Sequence, residues 1–311
     1  MGRRWALTVC LALMLALPGC APLVETPPKP LSVYASFYPI YTLADAVLRN
    51  IPDMALHCLA QPQDGCLRSY TLSDWDVRIL ASGADAVLLG GRGLESFEGA
   101  LLNWGEGGPA VAAVLYNTEL YNAGTTHARA DSDSHLEGPN PHLYLSVDGA
   151  LHIVEAISGA MMTLDPRYEV LYLENEASAE ERLHALKARV DEITGALMGK
   201  KVALMNEALI YPALDYGLEV VEWIDRESGQ SFYDRELEEC LQRLDKSGAR
   251  VVLIEAQAPI SLIMALEAAG YRVAKLDVLS THREGEGFET YLKIMEENAK
   301  AVQRAFEGVE T

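Results

Sequence analysis

From Arg167 to Met198 the chain has no proline and one glycine, Gly195. Asp165-Pro166 just upstream reads as a helix start, with Asp able to cap and Pro tolerated at the first helical position. Leu183, Leu186, Val190, Ile193 and Leu197 then recur at three- and four-residue spacing, which makes one apolar face. A helix over 165–198 would be about 50 Å long at 1.5 Å per residue. That is more than one lobe needs. The segment is therefore expected to lie along two lobes and join them as a rigid spine.

Both flanks of this spine alternate strand and helix patterns. On the N-terminal side, 31–36 (LSVYAS) reads as a strand, 40–49 as a helix and 54–59 as a short strand. Ser73 is placed to cap a helix that runs to about Ser82, and Ala86-Val87-Leu88-Leu89 is a buried strand stopped by Gly90-Gly91. On the C-terminal side, strands are expected at 201–205, 218–223, 251–254 and 272–276. Helices are expected at 236–244, 262–269 and from about Phe288 to Phe306. Alternation of this kind implies largely parallel sheets. The fold class is therefore α/β: two α/β lobes with mainly parallel sheets, one long rigid helix between them, and a ligand cleft between the lobes.

The first residues carry a different signal. Arg3 and Arg4 precede an apolar run, Trp5 to Leu17, of signal-peptide length. The run ends Leu17-Pro18-Gly19-Cys20, which resembles a bacterial lipobox, a signal cut before a cysteine that then carries lipid. The expected plan is a signal peptide at 1–19, a Pro-rich tether at 20–30, an N-terminal lobe at 31–164, the spine at 165–199 and a C-terminal lobe at 200–311. A chain so processed is extracytoplasmic, and Cys20 ties it to the cell membrane by lipid alone. The remaining cysteines sort by context. Cys58 and Cys66 flank a turn-rich loop, and a disulfide between them is permitted outside the cytoplasm. A metal site is the alternative, although zinc ligands are not usually spaced so. Cys240 falls in a helical pattern and reads as a small buried side chain.

The sequence holds 45 acidic against 25 basic residues, a formal charge of −20. Nucleic acid is excluded as a partner on that count, since phosphate binding needs a basic face. There is no His-Glu-x-x-His, no Gly-x-Ser-x-Gly and no other catalytic motif, so the chain is not expected to be an enzyme.

In open α/β sheets, ligands lie beyond the carboxyl ends of the strands. Asn206, Glu207, Glu255 and Asp277 are expected at such ends in the second lobe, and Arg68 and His142 in loops of the first. The stretch 117–141 is polar and carries His127 and His135. His57, His152, His184 and His282 read as structural or exposed.

Several stretches, in order, resemble one family. They are SVYASFYPIYTLADAV (32–47), SGADAVLLGGRGLE (82–95), NPHLYLSVDGALHIVEAISGAMMTLDP (140–166), NEALIYPALDYGLEV (206–220), LIEAQAPISL (253–262) and KLDVLS (275–280). Together they resemble the lipoprotein receptors of bacterial ABC importers for zinc and manganese, over roughly Leu31 to Phe306. Such receptors hold one divalent ion with four side chains, two from each lobe. The resemblance puts His142 on the second ligand position and Asp277 on the fourth. Arg68 falls on the first, usually a histidine, with Tyr70 still in its motif place. Asn206 falls on the third, with Glu207 beside it.

Arginine keeps its proton and cannot ligate a metal, and an Asn carbonyl suits harder ions than zinc. Three ways to complete the shell stay open. Glu207 could turn inward, His127 or His135 could reach the site, or Arg68 could point away and pair with Asp64, Asp74 or Asp76. Glu255 is a candidate for orienting a ligand from behind. The implied function is a monomeric receptor that carries a divalent metal, zinc ahead of manganese, to an ABC permease. The alternatives are an altered site that takes an anion or metal chelate through Arg68, or a role as an adhesin.

Overall fold

The computed structural model describes residues 29–60, 67–116, 119–120, 139–226, 234–280 and 286–309. The N-terminal sheet is built from β1 (Leu31–Ala35), β2 (Met54–Cys58), β3 (Ala86–Leu89) and β4 (Ala110–Ala113), in the order β2-β1-β3-β4. The C-terminal sheet repeats this plan with β5 (Lys201–Leu204), β6 (Glu219–Trp223), β7 (Val251–Glu255) and β8 (Arg272–Leu276), in the order β6-β5-β7-β8. Every ladder is parallel. The all-buried runs AVLL and VVLIE form β3 and β7, as expected where helices cover both faces of a sheet.

In each sheet the chain leaves its first strand toward one side and returns on the other. The reversal falls between β1 and β3, and again between β5 and β7. A crevice opens at such a switch point, outside the carboxyl ends of the strands. Both crevices face the space between the lobes, because Arg68 and His142 from the first lobe meet Glu207 from the second.

The helices are α1 (Tyr38–Leu48), α2 (Asp74–Ser82), α3 (Glu98–Leu102), α4 (Val147–Leu164), α5 (Glu169–Thr194), α6 (Ile210–Asp215), α7 (Asp234–Ser247), α8 (Ile260–Ala268) and α9 (Phe288–Phe306). The spine joins the lobes as one long helical run, 166–197; its first and last turns, Pro166–Tyr168 and Gly195–Leu197, are 3-10, and the α-helical part, α5, has 26 residues, about 39 Å of rise. Asp165 does not cap it. Its carboxylate is claimed instead by the Arg167 guanidinium, at 2.6 Å to Nε and 2.9 Å to Nη2. The apolar face is as expected: Leu183, Leu186 and Val190 are buried, with Leu197 just beyond.

α5 packs on α4 of the first lobe, on α9 of the second, and on α1. α9 itself crosses to α1. There Asp45 accepts the backbone N–H of Phe288 at 2.9 Å, and Glu289 meets both Arg49 and Arg182. A second junction lies at the start of α4. Asp215 of α6 accepts Val147 N–H at 3.0 Å and the Ser146 hydroxyl at 3.1 Å, while the Tyr291 hydroxyl donates to Tyr144 O at 2.9 Å.

Candidate functional site

The Arg68 loop is fixed by the chain that follows it. Ser73 caps α2: its hydroxyl accepts Asp76 N–H, and the Asp76 carboxylate returns the bond to Ser73 N–H at 2.7 Å. The same carboxylate takes the Tyr70 hydroxyl at 2.9 Å, and the Tyr70 ring packs edge-on against Phe37 and Phe97. Asp76 is thereby committed inside its own lobe. Arg68, in the 3-10 turn Leu67–Ser69, reaches across the cleft, and its Nη1 donates to Glu207 Oε1 at 2.7 Å. The two side chains are 22% and 7% exposed, so the pair is largely removed from water.

His142 opens the 3-10 turn before α4 and is buried. Its Nδ1 lies 2.8 Å from Asn140 Oδ1, which also accepts the backbone N–H of His142 at 3.0 Å. The other end of that amide, Nδ2, donates to Glu207 O at 2.7 Å, which fixes the amide's orientation. Nδ1 must therefore carry the ring proton, and Nε2 keeps the lone pair that a metal uses. Burial, and then the Arg68 charge, push the His142 pKa down to about 3, so the ring is neutral. Its Nδ1 stands 4.0 Å from Glu207 Oε1. Asn140 is held in turn by the Tyr211 hydroxyl on its carbonyl, at 2.7 Å.

Asn206 follows β5 and is buried. Its Oδ1 accepts Ala208 N–H at 3.2 Å, capping the turn Glu207–Leu209, and its Nδ2 donates to Glu255 Oε1 at 2.6 Å. Both ends of the amide are thus held within its own lobe, with Glu255 behind it. Asp277 stands just past β8, where Asn298 clamps its backbone from both sides at 2.9 Å. Its Oδ1 accepts Leu279 N–H at 2.8 Å, and it lines a cavity of about 200 Å³ with Glu286, Thr290 and Lys293.

Of the expected site residues, His142, Glu207 and Arg68 are thus brought together. Asn206 lies next to them but is turned to its own lobe. Among the described residues, no three His, Cys, Asp or Glu side chains converge as a metal shell. His127, His135, Cys20 and Cys66 lie outside the described residues. Cys58 Sγ lies 3.6 Å from Ala60 O, and burial would push the pKa of its reduced form up to about 12. His57, His152 and His184 are exposed.

Two residues escaped sequence reasoning. Asn140 carries only a weak signal, its place two residues before the loop histidine. Glu95 is fully buried between the carboxyl ends of β1 and β3, where it accepts Ser36 Oγ at 2.5 Å and the N–H groups of Gly90 and Gly91 at 2.8 Å each. Burial raises its pKa.

Residues 33–305 match the model of the family described as zinc-uptake complex component A periplasmic, ZnuA. The zinc-binding lipoprotein AdcA of Streptococcus pneumoniae is 24% identical over 281 residues, 88% of this chain and 55% of AdcA. The chain thus spans about half the length of the curated relative it matches there. Among solved structures, the solute-binding protein FpvC of Pseudomonas aeruginosa in complex with Mn2+ superposes with a TM-score of 0.76 at 20% identity, covering 90% of this chain and 99% of FpvC. The laminin-binding adhesin Lmb of Streptococcus agalactiae superposes with a TM-score of 0.72 at 19% identity, covering 88% and 99%. Those two likenesses establish the fold, and the family match spans nearly all of both lobes: the chain belongs to the ZnuA family.

Proposed function

We propose that this chain is an extracytoplasmic solute-binding protein, lipid-anchored through Cys20. In this reading it captures a divalent metal ion between its lobes, zinc ahead of manganese, and delivers it to an ABC permease. The observation that carries the reading is His142. A buried, neutral imidazole is held by Asn140 with Nε2 as its donor nitrogen, beside a carboxylate from the opposite lobe. Imidazole nitrogen with carboxylate oxygen suits zinc, and a carboxylate-rich shell would suit manganese. His142 and Glu207 would supply the first two donors. Asp277 is the third candidate, after the lobes rearrange around the ion. Asn206 and Glu255 position Glu207, and a Cys58–Cys66 disulfide would tie the Arg68 loop to β2.

A reading in which Arg68 takes an anion or chelate is weaker, because the Glu207 carboxylate already lies against the guanidinium, 2.7 Å from Nη1. An adhesin role rests on the likeness to Lmb alone.

The test is elemental analysis of the purified chain, with melting followed in zinc, manganese or chelator. An ion at 100 times its Kd stabilises by about 2.7 kcal/mol, which at this size raises Tm by roughly 4–5 °C. If no divalent ion co-purifies and none shifts the melt, the receptor reading is lost.

A further inference from the structure

We propose that Arg68 is a tethered competitor for the cation position of the cleft. Its guanidinium neutralises Glu207 and holds the lobes together until a divalent ion displaces it. The inference rests on the metal-receptor reading and deepens it, since it says what sets the affinity of that site.

Three observations carry it. The first is the contact: Nη1 to Oε1 at 2.7 Å between residues 139 apart in sequence, joining opposite lobes with both side chains mostly buried. The second is which carboxylate it uses. Glu207 comes within 4.0 Å of the His142 ring, Oε1 to Nδ1, so an ion held by Glu207 beside that ring competes with the guanidinium for the same carboxylate. A guanidinium cannot ligate, and at contact distance it repels a second cation. The third is access. Tyr70, Ser73 and Asp76 fix the chain that follows Arg68, and the Arg68 side chain is 22% exposed, so it has solvent to swing into.

The consequence is a threshold. Displacing Arg68 costs the same free energy whichever ion enters. The penalty therefore lowers the affinity for every divalent ion by one common factor and leaves the ratio between ions unchanged. Weak binders fall below useful affinity first, so only ions high in the intrinsic order are held.

The experiment measures binding of ZnCl2 and MnCl2 to the wild type, Arg68→Ala and Arg68→His by calorimetry, with a competing chelator where affinity is high. Metal-free stability of Arg68→Ala, Glu207→Gln and the double variant is measured in parallel. Arg68→Ala should bind both ions at least tenfold more tightly, by the same factor for each. Arg68→His should gain further, because it removes the competitor and adds a donor. In the metal-free protein the two substitutions should be non-additive, as expected for a direct pair. Equal or weaker binding by Arg68→Ala overturns the competition while leaving the receptor reading intact. Additivity in the metal-free cycle overturns the latch. If no variant binds either ion, the receptor reading and this inference fall together.

Discussion

Replacing Asn140 by Ala is the most searching test of the site, because one amide holds three partners. The Asn140 side chain accepts from the His142 ring at 2.8 Å and from its backbone N–H at 3.0 Å, and it donates to Glu207 O at 2.7 Å. Asn140 is 2% exposed and His142 is 5% exposed, so the orphaned donors cannot turn to bulk water. A buried donor left without its acceptor costs about 1–3 kcal/mol. Two such donors give a loss of about 2–6 kcal/mol, with the low end applying if water enters the space left behind. Urea denaturation measures this directly. The second readout is the tautomer. Long-range 15N correlation of the His142 ring should show a protonated Nδ1 in the wild type and a mixture in the variant, while Asn140→Asp, which keeps the acceptor, should retain Nδ1–H. If Asn140→Ala costs less than about 1 kcal/mol and leaves the ring signals unchanged, the reasoning that makes Nε2 the metal donor is wrong.

Two further outcomes are expected. Burial pushes Asp215 up to about 6 from its usual 3.8, against the bonds it accepts from Val147 and Ser146 and the nearby Lys187 charge, with Asp148 adding to the rise. The folded state then holds more protons than the unfolded one between those values, so this group's contribution to stability falls as pH rises from 3.8 toward 6. Asp215→Asn should flatten that part of a stability–pH curve from denaturant titrations, and an unchanged slope would remove Asp215 as its source. Peptide mapping of the exported protein without reductant should find Cys58 linked to Cys66. Breaking that loop should cost about 2–3 kcal/mol, and a free Cys58 thiol in the exported protein ends the pairing.

Much of the scaffold was legible because its signals are local. The all-apolar runs of β3 and β7, the serine before α2 and the glycines after strands each state their role within a few residues. β4 was passed over because AVAA has little β-branched bulk and takes its identity from pairing with β3. The Asp165 carboxylate pairs with the Arg167 guanidinium two residues on, a contact that a capping pattern does not announce. The site was harder. Asp64, Asp74 and Asp76 were the acids in view of Arg68 along the chain, and nothing in the spacing announces its bond to Glu207 in the other lobe. Asn206 did carry a readable signal, an Asn placed to cap a helical turn, and the family position drew attention away from it. Glu95 had none, because its three donors gather only once two strands lie side by side.

The crossing of α9 onto α1 has a bearing on how the chain reaches this state. Phe288, Tyr291, Leu292 and Met295 bury their side chains near the end of the sequence, and residues of α1 close to its beginning need that cover. A chain that emerges N-terminus first therefore has its first lobe unsealed, and the seal arrives among its last residues. Parallel pairings between distant segments already fold slowly. The interval before α9 docks is thus when the chain is open to proteases and to its own neighbours, and a chaperone would have apolar surface on α1 and α5 to hold.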